Sequence, residues 1–121
     1  MAPRRETLTV YMGEDWIYTW DLTDKNGAPW VWDPADTVRG EIRHTNSSGA
    51  VIHTWVRGSP DVVASVNGEL TLIIPYTVSE VWTALSAVAD VEVTRPGNPI
   101  GQRRARPISL ALIIDRDTTR S

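Results

Sequence analysis

The sequence predicts an all-β domain, a sandwich of about seven strands with one short helix. Seven short stretches alternate apolar and polar residues with a period of two, and only one stretch has helical spacing. The clearest alternation runs through Val38, Gly40 and Ile42, with polar residues between them. Successive side chains of a strand point to opposite faces, so each stretch gives one buried and one exposed face.

Length and composition narrow the class of protein. The 121 residues predict a single domain spanning 1–121, with short polar arms at both ends. A net charge of −3 argues against a general nucleic-acid binder, and the absence of Cys excludes disulfides and thiolate chemistry. The charged N-terminal segment is unlike a secretory signal peptide. No apolar run reaches the roughly 18 residues of a membrane span. We therefore expect a chain that folds in the cytoplasm of the producing cell.

The first third of the chain predicts two strands, a turn and a candidate third strand. Thr7–Tyr11 is the first strand. One face of the second strand carries Trp16, Tyr18, Trp20 and Leu22. Residues 23–27 end in Asn-Gly, which supplies the positive φ of a turn. Trp30–Trp32 is a candidate short strand that ends before Pro34, because proline lacks an amide hydrogen.

Two hairpins are predicted in the middle of the chain. Thr37–His44 and Val51–Val56 are joined by a polar connection that contains Gly49. Val62–Val66 and Glu69–Ile74 are joined by Asn-Gly, the strongest short hairpin signal.

The last third predicts a helix and two strands. Thr77 and Glu80 have the spacing of a capping box, which predicts a short helix over about residues 78–85. Val81, Trp82 and Leu85 would then dock that helix on the sandwich. The next strand contains Ala89, Val91 and Val93, and Pro107–Ile114 is the last strand.

Catalytic and metal-binding patterns are weak. His44 and His53 would face each other across the first hairpin, as a cross-strand pair or as two ligands of a metal. Zinc requires three or four protein ligands, which favours the cross-strand pair. Carboxylates are plentiful but mostly lie in turns or on polar strand faces, and no nucleophile elbow, phosphate loop or metalloprotease motif is present. We predict no catalytic residue, no cofactor and no metal.

The chain has six Trp and no Phe, so tryptophan must fill much of the core. We assign Trp16, Trp20, Trp55 and Trp82 to the core. Trp30 and Trp32, between Pro29 and Pro34, are the candidates for exposure. They would contact a partner or form a stacking platform for sugars. Residues 102–106 form the one dense basic cluster, suited to contact with an acidic partner surface or nucleic-acid phosphate, or to protection of a sheet edge. In an acidic protein we favour protein contact or edge protection.

Several segments together resemble one family. Met12–Trp20 resembles a Gly-Asp-x-aromatic strand, and Thr23–Trp30 resembles an Asp-x-x-Gly-x-Pro turn. Further matching segments are Thr37–Arg43, Gly68–Pro75, Ala89–Val93 and Ile114–Arg120. The layout is similar to small Ig-like β-sandwich domains in virion proteins of tailed bacteriophages, including the N-terminal domain of upper baseplate proteins. Asp33–Asp36 departs from the family, which has an Asp-Leu-Thr loop there.

The resemblance implies an Ig-like antiparallel β-sandwich with a non-enzymatic, multi-copy structural role in a virion. A tail or baseplate position is the first expectation, and head decoration or a head–tail connector is the second. The partners would be other virion proteins in a homo-oligomer or ring, without nucleic acid or membrane. A carbohydrate-binding module is the alternative of another class. The predicted contact residues are Pro3, Arg4, Arg5, Trp30, Trp32, Arg103, Arg104, Arg106, Arg116 and Arg120.

Overall fold

The computed structural model describes residues 4–23, 26–45, 49–82, 86–95 and 108–115. These residues form eight strands in two sheets, one short α-helix and one 3₁₀ turn, which confirms the predicted all-β sandwich. The strands are β1 Arg4–Tyr11, β2 Trp16–Asp21, β3 Thr37–His44, β4 Val51–Val56, β5 Val62–Ser65, β6 Glu69–Ile74, β7 Ser86–Thr94 and β8 Ile108–Asp115. The 3₁₀ turn is Val66–Gly68, and the helix α1 is Tyr76–Ser79.

The strand order is that of an immunoglobulin-type sandwich. One sheet has the order β1-β8-β7-β3-β4, and the other has the order β2-β6-β5. Strands β2, β6 and β5 correspond to B, E and D of an immunoglobulin domain, and β8, β7, β3 and β4 correspond to G, F, C and C′. All neighbouring strands are antiparallel except β1 and β8, which run parallel over their whole length. The predicted antiparallel pairing therefore holds everywhere but at this edge.

The strands begin and end at two opposite ends of the sandwich. At the end that we call the upper end, β1, β3, β6 and β8 begin and β2, β4, β5 and β7 end. At the lower end, β2, β4, β5 and β7 begin and the other strands end. The β4–β5 connection, residues 57–61, therefore runs from the upper end towards the lower end.

The core is built from the period-two positions and from tryptophan. Val38, Ile42, Val91 and Val93 are buried on the inner face of the larger sheet, as the alternation predicts. The four tryptophans assigned to the core, Trp16, Trp20, Trp55 and Trp82, are all buried. Trp16 of one sheet stacks on Trp55 of the other with ring centroids 6.2 Å apart, so large indoles replace phenylalanine across the interface.

Both predicted hairpins are present. The bounds of β3 and β4 match the prediction, although the register shifts between Ile42 and Arg43. Strand β5 ends at Ser65, one residue early, because Ser65 pairs with Glu69 and leaves a three-residue connection. Asn67 and Gly68 both have positive φ, as the Asn-Gly signal requires.

The predicted short helix is present, but it starts at Tyr76 rather than Val78, and the predicted capping box does not form. Helix α1 starts directly after Pro75, without a side-chain cap from its own sequence. Asp15, in the β1–β2 connection, accepts the Tyr76 N–H over 2.8 Å and occupies the place of the expected cap. Val81 is exposed, whereas Trp82 is buried as predicted. Residues 83–85 lie outside the described part of the chain.

Candidate interaction surface

The long connection between β2 and β3 folds onto the upper end of the sandwich. The Leu22 N–H donates to the Gly68 carbonyl over 2.9 Å, and the Trp30 N–H donates to the Leu22 carbonyl over 2.9 Å. Gly68 has a φ of +76°, and a Cβ at this position would lie 2.4 Å from the Leu22 oxygen. Glycine is therefore required for the β5–β6 connection to approach this closely.

The buried carboxylate of Asp36 fixes the shape of this connection. Arg95, directly after β7, donates from Nε to one Asp36 oxygen and from an Nη to the other, each over 2.8 Å. The Trp30 indole and the Asp33 backbone N–H also donate to this carboxylate, over 3.2 and 2.9 Å. Charge-assisted, bidentate pairs of this kind are the stronger hydrogen bonds in proteins. We call Trp30, Asp33, Asp36 and Arg95 the Asp36 clamp.

The clamp keeps Asp36 ionised. Burial raises the pKa of Asp36, but the hydrogen bond from Arg95, the backbone hydrogen bond from Asp33, the charge of Arg95 and the hydrogen bond from Trp30 together outweigh burial. The pKa of Asp36 therefore lies below its usual value. Both carboxylate oxygens are occupied by protein donors, so Asp36 has a structural role and is not a candidate acid or base.

The predicted exposure of Trp30 is wrong. Only 8% of Trp30 is accessible to solvent, and the Arg95 guanidinium lies 4.2 Å from the centroid of its ring. The Trp30 indole N–H donates to the Asp36 carboxylate, so Trp30 can be buried without an unpaired donor. Trp30–Trp32 also forms no strand; an isolated bridge pairs Thr23 with Pro29 instead.

Trp32 is half-buried and fixed on two sides. Its indole N–H donates to the Glu69 carbonyl over 3.2 Å. The Arg57 guanidinium lies 5.2 Å from the ring centroid, and Arg57 also donates to the carbonyls of Asp33 and Asp36. The two tryptophans therefore do not form the two-ring sugar platform that their spacing in the sequence allowed.

An apolar cleft lies between this connection and the β5–β6 connection. Its volume is about 390 Å³, and residues 29–32 and 64–67 line it. Val31 is 77% exposed on one side, and Val66 is 78% exposed on the other. Arg95 donates to the Val31 carbonyl, so the clamp also holds Val31 in its exposed position. We call residues 29–32 and 64–67 the upper cleft.

Of the remaining predicted contact residues, the two that the structure describes, Arg4 and Arg5, do not line this cleft. Arg5 is exposed on β1, which is the edge strand at the far side of the larger sheet. Arg4 starts the same strand and pairs through its backbone with Ile108. The others lie outside the described residues, namely Pro3, Arg103, Arg104, Arg106, Arg116 and Arg120.

Sequence reasoning missed Asp36, Arg95 and Arg57. Asp36 and Arg95 are 59 residues apart, so no local pattern connects them. The one local signal is Asp33 before Pro34, where the Asp33 side chain accepts the Ala35 N–H over 2.8 Å and forms a turn. That turn indicates an ordered connection but not its buried ion pair.

The two histidines do not face each other, contrary to the prediction. The regular register of the hairpin places His53 opposite Ile42, and His44 pairs with Ala87 of β7. His53 Nε2 lies 3.2 Å from a carboxylate oxygen of Asp61. In the described part of the chain, no three His, Cys, Asp or Glu residues are grouped so that they could hold a metal ion.

His53 predicts a pH dependence of stability. Burial lowers the pKa of His53, and the charge and hydrogen bond of Asp61 and the Ile73 backbone offset this only in part. The unfolded chain, with a usual pKa of 6.5, binds a proton more readily than the folded state. Neutral His53 therefore makes its full contribution to the free energy of unfolding above about pH 6.5, and this contribution decreases as the pH falls below that value. We expect urea midpoints to drop between about pH 7 and about pH 5, and to drop less in His53→Gln. Equal drops in wild type and His53→Gln would contradict this assignment.

Comparison with known proteins adds no identification. The sequence matches no protein-family model, and no curated protein is significantly similar to it. Among the described residues, no helix is long and apolar enough to cross a membrane. The resemblance to phage Ig-like domains therefore stays a prediction.

Proposed function

We propose that this protein is a non-enzymatic structural component of a bacteriophage particle, assembled in several copies by protein–protein contacts. A position in the tail or baseplate is the first choice, and head decoration or a head–tail connector is the second. The support is the sequence resemblance over most of the chain, together with the immunoglobulin-type strand order. Its place of action is the virion, after synthesis and folding in the host cytoplasm.

The upper cleft is the observation that carries the proposal. Exposed apolar side chains grouped beside a half-buried aromatic ring mark an interaction site, because their exposure is otherwise unfavourable. The Asp36 clamp holds this surface in one shape before any partner arrives. A preformed surface loses little conformational entropy on binding, which increases affinity.

The same observations argue for protein partners over the alternatives. The buried carboxylate is saturated by protein donors, so it is not available for proton transfer. With Trp30 buried, the sugar platform loses one of its two rings. The proposed protein needs no cofactor and acts on neither nucleic acid nor membrane; its partners are other virion proteins.

Competitive incorporation into particles tests this function. Wild-type chain and a variant with Val31→Asp and Val66→Asp are supplied together during particle assembly, and isotope-labelled peptides measure their ratio in purified particles. A carboxylate buried in a contact costs several kcal/mol, so the variant should be incorporated at least about tenfold less.

Val81→Asp provides the matched control, because Val81 is an exposed valine near the lower end of the sandwich. We expect its incorporation to equal that of the wild type. Failure of the wild-type chain to enter particles would refute the proposed function. Equal incorporation of the cleft variant and the control would refute the role of the upper cleft.

A further inference from the structure

The outer face of the larger sheet carries charges of both signs along β3 and β7. Directly paired residues of neighbouring strands share a face, so Glu41 lies beside Asp90. Two residues further along β3, Arg43 points to the same side and lies beside Val88. A shallow groove of about 270 Å³ runs between these strands, and we call it the charged groove; it is lined by Arg39, Gly40, Glu41, Arg43, Asp90 and Glu92.

Within one copy, the charged groove leaves one carboxylate without a cation. Arg43 forms an ion pair with Glu41. Asp90, directly opposite Glu41, accepts a hydrogen bond from the Ser109 hydroxyl over 3.0 Å, and none of the described cations pairs with it. Like charges directly opposite each other on a sheet are unfavourable. A second cation beside Glu41 and Asp90 would therefore stabilise this face.

Exposed apolar side chains flank the charged groove. Val56 is paired with Arg39, and Val51 and Val88 are both paired with Arg43. Val56 is 49% exposed, Val51 43% and Val88 44%. Apolar groups beside charges favour a contact, because covering them excludes water and strengthens the ion pairs that the contact encloses.

The distribution of charge indicates which partner fits this face. Outside the charged groove, the described residues contain four Arg and ten Asp or Glu, so most of the surface of one copy repels another copy. The groove itself combines two Arg with three acids. A purely basic partner would place like charges against its arginines, and a purely acidic partner would do so against its carboxylates. The same face of a second copy supplies both signs at the matching spacing.

We propose that two copies of this chain associate through the outer faces of their larger sheets, with Arg43 of each copy bound to Glu41 and Asp90 of the other. In a two-fold contact both pairings are equivalent, because each residue meets on the partner the residue that meets it. The axis crosses the strands between the levels of Glu41 and Arg43, which lie roughly 7 Å apart. Each arginine therefore faces carboxylates and not the other arginine. This contact deepens the multi-copy role proposed above by naming a second copy as partner, and it rests on that role for its place in a particle.

The size of the face determines the expected strength of this dimer. Five strands and a strand length of eight residues give a face of roughly 24 by 26 Å, about 600 Å². Stable interfaces bury about 800 Å² per partner, so a dimer formed by this face alone is weak, with a Kd in the micromolar to millimolar range. Salt screens exposed ion pairs, and we expect the Kd to rise at least about tenfold at about 1 M salt.

Charge reversal tests the contact by sedimentation velocity over a range of protein concentrations. One variant carries Arg43→Glu, and the other carries Glu41→Arg and Asp90→Arg. Each variant alone should stay monomeric, because the facing positions then have the same sign. An equimolar mixture should form heterodimers, and a single chain with all three substitutions should dimerise like the wild type.

The variant with Glu69→Arg and Glu80→Arg is the matched control, since it makes the same charge change at two exposed glutamates outside the charged groove. It should dimerise like the wild type. Near-ultraviolet circular dichroism verifies that every variant is folded. A wild-type chain that stays monomeric at millimolar concentration would overturn the contact, as would a mixture that stays monomeric or a dimer that charge reversal leaves intact.

Incorporation into particles is measured separately from dimerisation in solution. A dimer in solution without incorporation would refute the proposed function alone. Incorporation of a chain that stays monomeric in solution would refute this contact alone.

Discussion

Replacing Asp36 with alanine is expected to lower the free energy of unfolding by about 3–5 kcal/mol. The substitution leaves the Arg95 guanidinium without its bidentate partner. It also leaves the buried Trp30 indole N–H without an acceptor. Each unpaired buried donor adds a desolvation cost to the lost ion pair. Urea denaturation followed by tryptophan fluorescence measures the change.

Two further variants distinguish the loss of the Asp36 clamp from a general effect of removing a negative charge. Glu69→Ala removes an exposed carboxylate and should change stability by about 0.5 kcal/mol or less. The double variant Asp36→Leu and Arg95→Met should lose less stability than Asp36→Ala, because it leaves no charge unpaired. A loss below about 1 kcal/mol in Asp36→Ala would contradict the clamp.

The Asp36 clamp should also weaken in acid. The pKa of Asp36 in the folded state lies below its usual value of 3.8, so the unfolded chain takes up the proton first. The stabilisation is therefore present above about pH 4 and lost as the pH falls further. This window is well below that of His53, so the two groups can be distinguished by pH.

Trp55→Ala should lower the free energy of unfolding by about 3–5 kcal/mol, which is similar to the effect of Asp36→Ala. Trp55 is fully buried between the sheets, where it stacks on Trp16. Its indole N–H donates to the Ile73 carbonyl of the opposite sheet over 2.9 Å. The substitution therefore leaves a cavity and removes a hydrogen bond between the two sheets. Differential scanning calorimetry or urea denaturation gives the loss.

Trp32→Ala is the matched control for Trp55, because Trp32 is only half-buried at the upper end. It should lose clearly less stability than Trp55→Ala. The loss of stability in Trp55→Phe should lie between those of Trp32→Ala and Trp55→Ala, since Phe keeps an aromatic ring but loses the hydrogen bond to Ile73. Equal losses for Trp55→Ala and Trp32→Ala would show that Trp55 is not the centre of the core.

The sandwich was predictable because strand periodicity is local information. The alternation through Val38, Gly40 and Ile42 defines one buried face within a single stretch of sequence. The polar connections around Gly49 and Gly68 then determine where the strands must reverse. Hence the bounds of β3, β4 and β6 follow from the sequence alone.

The errors all arise from contacts between residues that are distant in sequence. Trp30 looks exposed beside two prolines, but Arg95 and Asp36 bury it. The helix has a capping pattern of its own, yet its first N–H binds Asp15, 61 residues away. The predicted pairing of the histidines fails because the register of β3 and β4 places His53 opposite Ile42, two residues before His44. None of these partners is visible within a window of a few residues.

The Asp36 clamp and the tryptophan core make the upper cleft a rigid surface. A rigid, preformed surface supports the proposed role as a repeated building unit.

Quantitative mass spectrometry of purified particles tests the central claim most directly. Labelled reference peptides give the number of copies of this chain per particle, calibrated against a particle protein of known copy number. We predict several copies per particle, in a fixed ratio to that protein. Absence from purified particles, or a trace amount that varies between preparations, would contradict the account.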